Sequence, residues 1–311
     1  MIAINLVKVE PKHFPDGTQM LMDVKVYPYE NVRVGTDIYW KYENDEECMR
    51  LYYIVKHIKE HDPDCHLYLT MPYLPNARMD RTKSSKEVFT LKYFCEFINS
   101  LGFRNVRILD PHSDVGVALI DHVEVFKDRL EKLFEYAVDR AFEDVDEYSQ
   151  MLVYFPDAGA MKRYKDIKAF KKIEMIYGQK QRDWDTGKIK GLDIMNQNGQ
   201  NLTVSVGIDI ETSGLDGVCA STCATFLPLS GKTVLMVDDI ISYGGTMYHS
   251  ALKLKELGAK EIFAYASHVE NSVLDKENGT FIKCLEDGTV TKLFTSDSIY
   301  SGNHPSIEVI G

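Results

Sequence analysis

Leu51, Ile54, Val55 and Ile58 recur at i, i+3, i+4 and i+7, which predicts an amphipathic helix over Glu46 to Glu60 docked on a sheet. A second stripe, Leu91, Phe94, Cys95 and Ile98, stops at Leu101-Gly102, and a third, Met247, Ala251 and Leu254, stops at Leu257-Gly258. A glycine just beyond the last apolar position ends a helix without a steric cost. Between these stripes lie four short apolar runs: Leu67 to Met71, Val106 to Leu109, Met151 to Phe155 and Val234 to Val237. Their length and continuity predict strands buried on both faces of a parallel sheet. An acidic helical stretch is expected over Val123 to Tyr148. Leu202, Val204, Val206, Ile208 and Ile210 alternate, and Asn198-Gly199 is a hairpin signal, so residues 188 to 210 are expected to form a β-ribbon. That ribbon would carry the polar segment Tyr177 to Trp184 as a mobile loop. Residues 211 to 229, a mixture of Gly, Ser, Thr and Cys, show no assignable pattern.

The order helix, glycine, strand, histidine occurs twice. Leu101 precedes His112 by eleven positions and Leu257 precedes His268 by the same eleven, with Val106 and Ile262 at matching places. A duplicated α/β unit is the simplest account. The 311 residues suffice for two domains of about 150 each. The expected fold is therefore α/β, two similar domains over residues 1–145 and 146–311, each a mainly parallel sheet flanked by helices, with a β-ribbon flap.

Composition narrows the function classes. The chain is 44% hydrophobic and 27% charged, and no apolar run approaches the ~18 residues of a membrane span. Its first residues lack the basic segment and apolar core of a signal peptide, so a cytoplasmic protein without a membrane partner is expected. A net charge of −11 argues against nucleic acid as a partner. The six cysteines form no C-x-x-C pair, and Cys48 and Cys95 fall in helical patterns; reduced thiols and no zinc are expected.

The chemistry gathers where strands end. Val234 to Val237 runs into Asp238 and Asp239, followed by Ser242, Tyr243, Gly244, Gly245 and Thr246 at the entrance to a helix. Glycines there let backbone N–H groups approach an anion, and the helix start favours negative charge. Carboxylates accept hydrogen bonds from vicinal hydroxyls, so acid pair and anion loop together suit a sugar phosphate. Taken singly, each half also fits a buried strand end or a simple turn. Upstream, Pro72 to Arg81 holds two prolines, which forbid regular structure, with Arg78, Asp80 and Arg81, a loop suited to polyphosphate or simply to solvent. Asp110-Pro111-His112 and Pro156-Asp157-Ala158-Gly159-Ala160-Met161-Lys162-Arg163 close two further strands, the place where open parallel sheets bind ligands.

In this order the stretches resemble the phosphoribosyl pyrophosphate synthetases, the ribose-phosphate pyrophosphokinases. The family's Phe-Pro-Asp-Gly-Glu turn is similar to Phe14 to Thr18, which implies that Phe14 and Asp16 recognise adenine in the ATP site of a neighbouring subunit. Pro72 to Arg81 resembles the ATP loop, which assigns Arg78, Asp80 and Arg81 to nucleotide. His112 and Asp157 fall on the family's ligands of Mg2+, His112 also lying at the ATP. Lys180 and Arg182 match the Lys-x-Arg of the catalytic flexible loop. Asp238, Asp239 and Ser242 to Thr246 match the ribose-phosphate loop. The resemblance implies transfer of the β,γ-pyrophosphate of ATP to the anomeric 1-hydroxyl of a 5-phosphoribose unit, with release of AMP, by a homo-oligomer, dimer or hexamer. The charge on the migrating group is then the difficulty, and Lys180 and Arg182 on a mobile flap would meet it.

Four departures bear on the acceptor and the assembly. Ser242-Tyr243 replaces the family's Asp-Thr, Thr18 and Met79 replace Glu and Gln, residues 211–229 lengthen the region before the central strand, and after Thr295 to Ile299 the sequence lacks the family's final helix. The aromatic ring at the 5′ end of the ribose points to ADP-ribose, the acceptor of a similar phage and bacterial branch that serves NAD rebuilding; ribose 5-phosphate is the alternative. A phosphoribosyltransferase and a non-catalytic regulatory subunit are the competing classes.

Overall fold

A computed structural model describes residues 1–22, 24, 35–182, 189–203 and 228–311. The expected strand over 204–210, most of the segment 211–229, Cys219 and Cys223, and Asp183-Trp184 lie outside the described residues, as do the side chains of Lys180 and Arg182.

In the first half, β1 (Ile2–Ile4) and β2 (Val7–Val9) precede a two-stranded hairpin, β3 (Lys12–His13) and β4 (Gln19–Met20), and then β5 (Thr36–Trp40). There follow α1 (Glu46–His61), β6 (Leu67–Thr70), α2 (Thr90–Ser100), β7 (Asn105–Ile108), α3 (Asp114–Leu119), β8 (Val123–Val125) and α4 (Lys127–Ala141). The sheet order is β2-β1-β5-β6-β7-β8, parallel from β5 onward. Leu51, Ile54, Val55 and Ile58 of α1 and Leu91, Phe94, Cys95 and Ile98 of α2 share one core with this sheet, as their spacing predicts. Helix α2 ends where Gly102 adopts φ +66°, a left-handed conformation that favours glycine. The helix expected from Val123 begins instead with a strand. Val123 pairs with Val106, and the helix runs only from Lys127 to Ala141.

The second half contains β9 (Met151–Phe155), α5 (Ala158–Tyr164), β10 (Glu174–Arg182), β11 (Ile189–Asn196), β12 (Thr233–Ile241), α6 (Gly245–Glu256), β13 (Glu261–Val269), α7 (Phe281–Glu286), β14 (Lys292–Ser296) and β15 (Ile307–Ile310). Its sheet order is β11-β10-β9-β12-β13-β14-β15, parallel except for the β10–β11 ribbon. One face packs on α6 and α7 through Val234, Met236, Met247, Ala251 and Phe281, and the other packs on α4 and α5 through Leu235, Val237, Phe134 and Tyr164. Helix α4 thus belongs to the core of the second sheet.

One sequence expectation changes here. The segment Tyr177 to Arg182, expected as a loop, is strand: Tyr177 still pairs with Phe155 of β9, and the segment as a whole pairs with β11. Asn198-Gly199 forms the expected tight turn, with Asn196 N–H 2.9 Å from the Gln200 carbonyl and Met195 bridged to Asn201 beyond it, and β11 pairs in addition with β10.

The halves are locked together at Asp110, which is buried and holds φ +41°. Its carboxylate accepts hydrogen bonds from the Tyr164 hydroxyl at 2.8 Å and from the Ser267 hydroxyl. His268, buried in β13, donates from Nε2 to the Leu109 carbonyl at 3.0 Å, and its Nδ1 lies 2.8 Å from the Ser298 hydroxyl. The repeated histidines therefore diverge. His268 is an interior tie between the halves, whereas His112 reaches the surface of the cleft.

Candidate active site

Strand β9 is followed by β10 on one side and β12 lies on the other, so the C-terminal ends of β9 and β12 flank a crevice of the kind that binds ligands in open α/β sheets. Asp157 leaves β9 at this edge and caps α5, its Oδ1 accepting the Ala160 N–H at 2.9 Å. Strand β12 does not end at Val237. It continues to Ile241, paired with Val269, so Asp238 and Asp239 lie inside the strand. Successive residues of a strand face opposite ways. The two carboxylates nonetheless stay in contact: Asp239 N–H donates to Asp238 Oδ1 at 2.9 Å, and the two carboxyl groups share a side-chain hydrogen bond. Asp238 is partly exposed near Asp157, while Asp239, 5% exposed, turns toward α5 and the first half.

Asp239 meets His112 there, Oδ2 lying 2.6 Å from His112 Nδ1, and Arg163 Nη1 lies 3.3 Å from Oδ1. Arg163 also donates to the His112 main-chain carbonyl. Burial works against charge on Asp239, but the His112 hydrogen bond and the Arg163 guanidinium outweigh it and hold the carboxyl below its ordinary value. Asp238 goes the other way: burial and the neighbouring Asp239 charge push it well above the usual carboxylate range. The Asp239 hydrogen bond raises His112 against the opposing effect of burial, and the charge of Asp80 adds to the rise. Asp110, which by sequence shared the metal-binding neighbourhood of His112, is buried between the sheets instead, and burial lifts it to about 6.

The chain enters α6 through the loop that the sequence assigns to an anion. Gly244 adopts φ +75°, and a Cβ there would lie 2.3 Å from Cβ of Phe281. The Tyr243 carbonyl accepts N–H groups of Thr280 at 3.0 Å and Phe281 at 3.2 Å, which pins the loop while the residue stays 46% exposed. No side chain caps α6. Gly245 and Thr246 open its first turn, where backbone N–H groups and the helix dipole favour an anion. The Ser242 hydroxyl is 3.2 Å from that of Ser272, which donates to Glu270, and Glu270 accepts from Arg78 at 3.2 Å. A polar chain therefore joins the loop of Ser242 to the loop of Arg78. Tyr73, Arg78, Pro111, His112, Asp239 and His268 line one narrow cleft between the halves.

Asp80 pairs with Arg81 at 3.2 Å, and the Arg81 side chain is largely exposed. Phe14, half exposed, and Asp16, bonded to Thr18 N–H at 2.9 Å, sit on the β3–β4 hairpin, which His13 ties to Glu46 of α1 at 2.8 Å. Neither residue lines the cleft. Lys180 and Arg182 lie on the ribbon opposite Leu192 and Ile189, with a register shift between Gln181 and Arg182. Among the described residues no three His, Cys, Asp or Glu side chains converge as a metal cage. The exposed carboxylate of Asp157 is an oxygen donor of the kind Mg2+ takes, whereas the second ring nitrogen of His112 fits the ion only through one of its retained waters. Sequence reasoning noted Arg163 only as half of a basic pair and missed its partners. Asp239, His112 and Arg163 meet across two sheets, and no local pattern records that.

No family model matches the sequence. The chain is 26% identical over 271 residues to a ribose-phosphate pyrophosphokinase of Saccharolobus solfataricus, covering 86% of this chain and 79% of that one. It is 24% identical over 312 residues to that of Bacillus subtilis, covering 99% and 82%. The crystal structure of phosphoribosylpyrophosphate synthetase from Mycobacterium smegmatis shares the fold, with a TM-score of 0.65 at 15% identity over 97% of this chain and 85% of that one. No helix among the described residues is long and apolar enough to cross a membrane. With its two phosphoribosyltransferase-type sheets and relatives aligned over most of its length, the chain is similar throughout to the ribose-phosphate pyrophosphokinases, which are diphosphotransferases.

Proposed function

We propose that this protein transfers the β,γ-pyrophosphate of ATP to the 1-hydroxyl of ribose 5-phosphate, forming phosphoribosyl pyrophosphate and AMP. The observation that supports the reading is the polar chain from Ser242 through Ser272 and Glu270 to Arg78, which links the loop before α6 to the loop of Arg78. The acceptor oxygen bonds to the β-phosphorus, the bond from the β-phosphorus to the bridging oxygen breaks, that oxygen leaves with AMP, and the hydroxyl proton passes to solvent. Arg78, Asp80 and Arg81 hold the nucleotide. Arg78 can leave Glu270 at little cost, because an exposed ion pair contributes at most about 1 kcal/mol. Asp238 accepts from the ribose hydroxyls, and the backbone of Ser242 to Thr246 takes the 5-phosphate. Lys180 and Arg182 on the ribbon meet the charge on the migrating group. Mg2+, held by Asp157 and His112 with the nucleotide, would neutralise phosphate charge.

The same reading takes residues 1–145 and 146–311 as two phosphoribosyltransferase-like halves of a cytoplasmic homo-oligomer. In that assembly Phe14 and Asp16 serve the nucleotide of a neighbour. A second acceptor, ADP-ribose, is favoured by one observation: the exposed ring of Tyr243 stands beside the anion loop, where a phosphate esterified further would continue. The deciding experiment gives purified protein ATP, Mg2+ and either acceptor, and reads AMP and product mass. Product from ribose 5-phosphate supports the first reading and product from ADP-ribose alone the second. Absence of transfer to both would overturn the pyrophosphokinase assignment.

A further inference from the structure

Arg163 closes α5 at the junction of the halves, and its guanidinium touches one group from each. Nη1 lies 3.3 Å from Asp239 Oδ1 on β12, and Nη2 donates to the main-chain carbonyl of His112, which follows β7. Its central carbon sits 5.6 Å from the centroid of the Tyr164 ring. That ring is fixed in turn by its hydroxyl, 2.8 Å from Asp110 Oδ2. The arginine is therefore held from below and bonded on two edges. A planar fork can serve two acceptors at once, whereas a lysine ammonium on a flexible stem has no such fixed geometry. Without Arg163 the buried Asp239 would keep His112 as its remaining charged partner, and the His112 backbone would lose its tie to α5.

We propose that Arg163 is a positioning residue, which holds His112 on the nucleotide side in register with Asp239 on the acceptor side and so aligns the two substrates for in-line transfer. The inference rests on the pyrophosphokinase reading for its effect on rate, but the register itself does not. Transfer is sensitive to alignment, since a displacement of about 1 Å can lower a rate by about 100-fold.

The test compares the full chain with Arg163→Lys and Arg163→Met. It measures kcat, KM, and the binding of ATP alone and of ribose 5-phosphate alone by calorimetry. Imidazole 15N spectra of histidine-labelled protein are recorded as well, with the His112 signal assigned through His112→Asn. Loss of alignment lowers kcat by about 10-fold in Arg163→Lys and about 100-fold in Arg163→Met, leaves each single-substrate dissociation constant within about threefold, and shifts or broadens the His112 signal. Wild-type kcat in Arg163→Lys overturns the proposal. So does about tenfold weaker binding of one substrate at unchanged kcat, which would mean that Arg163 contacts that substrate directly. If Arg163→Met does not fold, Arg163→Lys, which keeps a cation beside Asp239, decides. If the wild type transfers pyrophosphate to neither acceptor, the functional reading falls, and the His112 spectra still decide: a signal unchanged in both variants overturns the register.

Discussion

His112 Nδ1 stands 2.6 Å from Asp239 Oδ2, a hydrogen bond between residues 127 positions apart that joins the first sheet to the second. The bond favours the charged imidazole and opposes the effect of burial. Asp239→Asn is expected to return the His112 titration toward the ordinary range and to lower the transfer rate by about 100-fold through lost alignment. Histidine-resolved NMR titration and steady-state kinetics check this. A His112 titration identical to wild type would show that the carboxylate does not set it.

Asp110 and His268 predict opposite pH dependences over one window. Burial raises Asp110 from 3.8 to about 6, so between these values the fold keeps a proton that the unfolded chain has lost, and this contribution to stability falls as pH rises. Burial lowers His268 from 6.5 to about 4, so the unfolded chain binds a proton that the buried ring refuses, and this contribution falls as pH drops. The two slopes offset each other between about pH 4 and pH 6. In Asp110→Asn the histidine slope remains, and stability should drop by up to about 3 kcal/mol on acidification from pH 7 to pH 4. In His268→Gln the opposite slope remains. Urea unfolding at pH 4, 5, 6 and 7 distinguishes them, and parallel profiles for all three proteins would reject the assignment.

Gly244→Ala meets two obstacles, the left-handed φ of +75° and the Phe281 Cβ at 2.3 Å. The backbone conformation alone costs about 1–2 kcal/mol for a residue with a Cβ. Because the loop must shift to admit the methyl group, the KM for the ribose acceptor should rise by about tenfold or more while ATP binding stays within about threefold. Calorimetry with each substrate separately is the check, and equal losses for both would mean that the loop does not serve the acceptor alone.

Tyr243 is expected to govern the choice of acceptor. A stacked ring contributes about 0.5–1.5 kcal/mol beyond its buried area, so Tyr243→Thr should reduce kcat/KM for ADP-ribose by about tenfold and leave that for ribose 5-phosphate within about threefold. Competition between the two acceptors reads the ratio directly. An unchanged ratio would place the ring outside the acceptor site.

Lys180→Ala should lower kcat by about 100-fold or more with a modest change in KM, the pattern of an interaction made in the transition state. Full turnover in this variant would remove the ribbon from catalysis.

The helices were legible because apolar stripes at helical spacing record packing directly, as Leu51 to Ile58 on α1 show. Charge within a strand hid more. The apolar run of β12 stops at Val237, yet its ladder with β13 continues to Ile241, because His112 and Arg163 supply the partners that let Asp239 stay in the sheet. Polar Tyr177 to Arg182 looked like a loop for a related reason, its place being set by backbone pairing with β11. For the candidate site, residue types at strand ends supplied the expected chemistry. They did not reveal that Asp239 meets His112, that Asp110 takes a positive φ in the interior, or that Arg163 joins the halves, since each depends on groups distant in the chain.

Helix α4 is made long before the surface that covers it. Phe134 packs against Tyr265 with ring centroids 4.6 Å apart, and Leu133 and Ala137 share a core with Phe294, all far downstream. On the ribosome this apolar face waits for its cover until β13 and β14 have emerged, and it is open to aggregation or to chaperones during that interval. A gene cut after α4 would not release two soluble pieces, because the helix on one fragment and the second sheet on the other would each carry one side of the same interior.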